Sequence, residues 1–118
     1  MKTALLTLLT ALLSGCATTD QTVEARNASV QRVTVFTVHG SSGFKFQYGT
    51  LGPGIWKTYG GSMQIRGTDT CEVSWIDETG KLQKTKVDLK QELPKGYSGA
   101  LQFVLEDGGK VRVRPRNP

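Results

Sequence analysis

Few side chains in this 118-residue sequence could carry covalent or acid–base chemistry. Its one histidine, His39, precedes Gly40, Ser41 and Ser42. A serine nucleophile with a histidine base would here rest on adjacency alone, since no GxSxG, HExxH or Cys–His spacing surrounds it. A structural or catalytic zinc site needs three or four ligands, and the thiol of Cys71 lies in a different candidate strand from His39. Carboxylates pair at Asp77-Glu78 and Glu106-Asp107, both beside glycines in turn-type sequence. Such residues shape hairpin tips more readily than they act as general acid and base. The expectation is a chain that is not an enzyme and takes no metal or cofactor. A small ligand-binding or enzymatic domain using His39 is the remote alternative.

Two other groups of residues suit binding. Lys110, Arg112, Arg114 and Arg116 recur at every second position, so a strand would set all four on one side and Val111 and Val113 on the other. Lys84, Lys86 and Lys90 share a parity in the same way. If both strands lay in one sheet they would form a cationic plate suited to an acidic protein surface, lipid head groups or phosphates. The plainer reading is a solvated face whose charge discourages edge-to-edge aggregation. The stretch from Tyr48 to Gly61, YGTLGPGIWKTYGG, adds Trp56 and Tyr59. These are amphipathic aromatics of the kind enriched at interfaces, equally able to cover one end of a core.

The elements that must hold these residues are strands. From Val30 onward the apolar period is two and glycine supplies the punctuation. Val30 to Val38 is β-branched with apolar residues on both parities, which predicts a strand covered on both faces. Phe44, Phe46 and Tyr48 alternate with Lys45 and Gln47, Met63 and Ile65 with Gln64 and Arg66, and Cys71, Val73 and Trp75 with Glu72 and Ser74. Cys71 then points inward as a buried, inert thiol. Gly49 to Gly54 and Gly60-Gly61 read as breaks, and Asp77-Glu-Thr-Gly80 as a hairpin turn. Leu82 to Leu89, Ala100 to Leu105 and the run through Val111 and Val113 return across the sheet. About seven short strands, with no capped ten-residue helical period, predict an all-β fold: a single antiparallel β-sandwich over 30–118.

Ahead of that domain, Lys2 precedes an apolar run from Ala4 to Leu13 and the small residues Ser14-Gly15. About ten apolar residues cannot span a bilayer, which needs roughly 20, so residues 1–15 read as a removable signal peptide. The tetrapeptide Leu13-Ser14-Gly15-Cys16 resembles the lipobox of bacterial lipoproteins. That resemblance implies cleavage between Gly15 and Cys16, a diacylglycerol (and commonly palmitate) on the Cys16 sulfur, and attachment to a membrane through the acyl chains. Ala17 in place of Asp implies, in a Gram-negative cell, passage to the cell outer membrane with the domain facing the periplasm. Residues 16–29 then read as the lipidated cysteine and a flexible polar tether. Asn27-Ala28-Ser29 fits a glycosylation sequon only by accident in that setting.

Loss of Lys2 with the signal leaves 14 basic against 10 acidic residues, a net +4. So mild a charge in an envelope protein does not indicate nucleic acid and suits an acidic protein partner. With Cys16 consumed by lipid, Cys71 has no disulfide partner. Small size, anchor and strand–turn pattern, as in VSWIDETG, are similar to those of periplasm-facing immunity lipoproteins. The resemblance implies stoichiometric inhibition of a toxic effector. A structural or accessory lipoprotein of an envelope or secretion assembly is the second expectation.

Overall fold

The computed structural model describes residues 21–61, 69–97 and 99–116, with the side chains of residues 21 and 59–61 outside that description. The expected signal peptide, its expected cleavage junction at Gly15–Cys16, residues 17–20 and the strand expected at Met63–Ile65 lie outside the described residues.

Two four-stranded sheets pack face to face. The first has the order β4-β1-β7-β8, from Trp56–Gly61, Gln21–Asn27, Leu101–Glu106 and Lys110–Pro115. The second has the order β3-β2-β5-β6, from Lys45–Gln47, Thr34–Gly40, Thr70–Ile76 and Leu82–Asp88. Every neighbouring pair is antiparallel except β1 with β7, which run parallel. The all-β sandwich is therefore the fold. Among the described residues the single helix, α1 (Leu89–Glu92), is one turn started by the Asp88 carboxylate, which accepts from the Lys90 N–H.

The alternating residues fill the space between the sheets. Phe44, Phe46 and Tyr48 from one edge meet Phe36, Val38, Cys71, Val73 and Trp75, and all are buried. The Phe36 ring lies 6.2 Å from Trp75 and 6.1 Å from Tyr48, stacked on the first and edge-on to the second. Val23, Ala25, Leu101, Phe103, Val111 and Val113 close the core from the other sheet. The expected turn at Asp77–Gly80 joins β5 to β6: Asp77 accepts from the Thr79 and Lys81 N–H groups, and Gly80 takes φ +83°.

Three expectations are corrected. Gln21–Asn27, read as tether, is β1, the strand hydrogen-bonded to β4 on one side and β7 on the other. Its own apolar content is slight, Val23 and Ala25 facing the core, but ladders on both edges satisfy its backbone and Asn27 is buried. The apolar residues on both parities before Val38 reflect a β-bulge and not burial on both faces. Thr34 pairs with Ile76 and Thr37 with Ser74, so Val35 and Phe36 together oppose Trp75. Val35 takes φ +52° and is 50% exposed, which flips the parity between Val33 and Phe36 so that both are buried. Gly60 and Gly61, read as a break, extend β4.

Candidate functional site

Strand β8 behaves as its alternation predicts, with Val111 and Val113 buried and Lys110, Arg112 and Arg114 exposed. The plate joining it to the β6 lysines does not form, because β6 and β8 belong to different sheets. Lys84 and Lys86 decorate the outer face of one sheet and Arg112 and Arg114 that of the other. Sequence parity states which side of its own strand a residue takes; strand pairing between distant segments decides which residues share a surface.

Pairing instead unites the basic strand with Trp56. Across the first sheet the register runs Trp56 to Arg26, Arg26 to Val104 and Val104 to Arg112. Neighbouring strands are about 4.8 Å apart, so these four residues form one row about 14 Å across on the outer face. Trp56 is 56% exposed, and Val104 is buried beneath its neighbours. Arg26 is half-buried, and its Nε is a buried donor with no partner among the described residues. The row alternates apolar and guanidinium groups, with Trp56 at the sheet edge beside Arg26 and Val104 between the two arginines, and aromatic and Arg side chains are enriched at protein interfaces. Arg26 was missed in the sequence because its segment has the composition of a linker. The β-sheet parity shared by Glu24 and Arg26 was the only available signal.

The adjacent row runs Thr58, Glu24, Gln102 and Arg114 in register. Glu24 is only 2% exposed although it sits on the outward side of β1. Its carboxylate accepts from the Gln102 side-chain amide and from the Arg116 guanidinium, with Thr58 Oγ1 at 3.5 Å. Arg114 Nε in turn donates to Gln102 Oε1. Two members of the basic ladder, Arg114 and Arg116, are thus engaged in covering a buried acid, as expected for a charge that is paired and hydrogen-bonded when removed from water. Lys110 and Arg112 are exposed. The Tyr59 backbone pairs with Val23; its side chain lies outside the described residues.

The residues weighed for chemistry are spread apart. Ser41 and Ser42 both donate their hydroxyls to Asp69, at 3.3 and 2.7 Å, and Ser41 Oγ accepts the Thr70 N–H. This clamps the β2–β3 turn to the start of β5. His39 is exposed on the outer face, in register with Lys45 and Glu72. The Cys71 thiol is buried, and its pKa is pushed up to about 12 by burial and then by the nearby Asp69 charge, the opposite of a reactive cysteine. Asn27 is also buried. Its side-chain amide donates to the carbonyls of Gln31 and Leu51 at 2.7 and 2.9 Å, so the sequon asparagine is a structural group in this fold. Among the described residues no three His, Cys, Asp or Glu side chains gather as a metal site.

A cleft of about 290 Å³ lies at the opposite end of the sandwich from the start of β1, between the Asp77 and Asp107 hairpins and lined by Trp75 and Gln83. Two of its acids serve the backbone: Asp77 holds its own turn, and Asp107 accepts the Val30 N–H at 3.0 Å. Hydrogen bonds from Thr79 and then Gln83 and Lys81 keep the Asp77 carboxyl well below the ordinary carboxylate range.

No family model matches the chain, and no curated protein matches it in sequence. Among solved structures, it is similar to the NMR structure of a protein from Eubacterium rectale, at 18% identity and a TM-score of 0.49, over 80% of this chain and 85% of that one.

Proposed function

We propose that this protein is a lipid-anchored, non-catalytic binding module facing the periplasm from the outer membrane, and that the outer face of the β4-β1-β7-β8 sheet is its contact surface for an acidic protein partner. The observation that carries this reading is the row of Trp56, Arg26, Val104 and Arg112. An exposed tryptophan beside Arg26, with Arg112 at the far end of the same row, has the make-up of an interface, where aromatic and Arg anchors dominate the energy. The LSGC tetrapeptide supports the anchor, which raises the local concentration of the module at the membrane. The Ser41 and Ser42 bonds to Asp69 support a structural role for those residues. In the favoured form, the face occludes a toxic effector stoichiometrically.

The test is protection. A strain lacking the protein is challenged by effector-producing neighbours and complemented with wild type, Trp56→Ala or Arg112→Glu, each confirmed to be folded and membrane-bound. Wild type should restore survival and each variant should lose at least about tenfold of it, the 1.4 kcal/mol scale expected of an interface anchor. A deletion that changes survival against no neighbour, together with a stable multiprotein complex in unchallenged cells, would replace inhibition with an assembly role.

A further inference from the structure

The β1 correction changes how the domain can stand on a membrane. Only residues 17–20 separate Cys16 from Gln21, the first residue of a strand held on both edges. Five residue steps of extended chain reach about 17 Å at most. The sandwich end holding the start of β1 therefore stays near whatever holds Cys16.

The same end carries the start of β7, the end of β8, the β2–β3 turn, α1 and the Pro94–Gly96 turn, since β1 and β7 run parallel and α1 packs against β5, β6 and β8. Its exposed basic side chains include Lys45, Lys90 and Lys95, with Arg116 half-exposed and paired with Glu24. Among the described acids there only Glu72, in the row of Lys45 and Lys86, is exposed, and the others are committed internally or half-exposed. Asp69 receives the two serine hydroxyls, Asp88 caps α1, Glu24 pairs with Arg116, and Glu92 is half-exposed on α1. The opposite end carries four acids, Asp77, Glu78, Glu106 and Asp107, against Arg32, Lys81 and Lys110.

We infer that the end of the sandwich bearing Lys45, Lys90 and Lys95 rests against lipid phosphates, with the acidic hairpins Asp77–Gly80 and Glu106–Gly109 held away from the bilayer. The short link keeps that end close, and basic side chains near an anionic surface are attracted over a Debye length while acids are repelled. The strands then run away from the membrane, and the Trp56–Arg112 row, which crosses the strands, lies parallel to the bilayer in the half of the sheet farther from it, open to a partner approaching from the side. This orientation rests on acylation of Cys16.

Full-length protein, processed in a Gram-negative host and purified from its membranes, is reconstituted into vesicles of phosphatidylethanolamine and phosphatidylglycerol containing a headgroup spin-labelled lipid. In a Cys71→Ala background, a fluorophore is attached at Lys95→Cys, Lys81→Cys or Arg112→Cys, and quenching is compared. Quenching at position 95 should exceed that at 81 by at least about threefold and also exceed that at 112, and the difference should shrink in vesicles lacking phosphatidylglycerol. Equal quenching at 95 and 81 would overturn the upright orientation. Equal quenching at 95 and 112 would lay the sheet face on the lipid and overturn it too. Intact mass separates the two levels: a protein without the added acyl mass removes the anchor and the orientation together, whereas an acylated protein with inverted quenching removes the orientation alone.

Discussion

The two outer faces of the sandwich carry similar alternating charges and use them differently. On β3-β2-β5-β6, Lys45, His39, Glu72 and Lys86 stand in register and all are exposed. On β4-β1-β7-β8, the corresponding outward position of β1 holds Glu24 almost without exposure, beneath Gln102 and Arg116. An outward parity therefore does not ensure solvation. Long side chains from a neighbouring strand and from the segment after β8 can roof a shorter one, and the buried carboxylate then depends on its partners.

The largest test of this contrast is Arg116→Ala, which leaves the Glu24 carboxylate buried without its cation. A loss of about 2–4 kcal/mol in denaturant unfolding is expected, the half-exposed arginine placing it at or below the usual range for a broken buried pair. The next compares the two sides of β5. Cys71 faces inward and its pKa is raised from 9.0 to about 12. Folding favours the neutral thiol, so this contribution is whole below pH 9 and declines as pH rises from 9 toward 12. Stability measured across that window should fall more steeply in wild type than in Cys71→Ala.

A smaller effect belongs to the Asp77 turn of the second sheet. Its carboxyl is held below the ordinary value of 3.8 by Thr79, Gln83 and Lys81. The ionised form is favoured by folding, so the contribution is present above pH 3.8 and lost as pH falls below it. Acid unfolding of Asp77→Asn should lack that component. The smallest effect is expected of Glu72→Ala on the exposed row, within about 0.5 kcal/mol. A Glu72→Ala loss as large as that of Arg116→Ala would erase the distinction between the faces.

Much of the second sheet was legible because its residues declare themselves locally. Phe44, Phe46 and Tyr48, and likewise Cys71, Val73 and Trp75, alternate cleanly, and Gly80 sits where the turn needs φ > 0. The first sheet was less legible. Thr22 to Asn27 offers two inward apolar residues around a glutamate, and its strand character comes from neighbours 30 to 78 positions away. The bulge at Val35 made one buried face look like two. At the candidate face, the parity of Arg112 could be read from β8 alone. Its alignment with Arg26 and Trp56 could not, because four strands must pair before the row exists.

Parallel pairing of β1 with β7 sets residues 78 positions apart side by side, Val23 against Leu101 among them. The first sheet cannot assemble around β1 until the last fifth of the polypeptide has emerged. Such distant pairing makes for slow folding, since the loop must close before its contacts reward it.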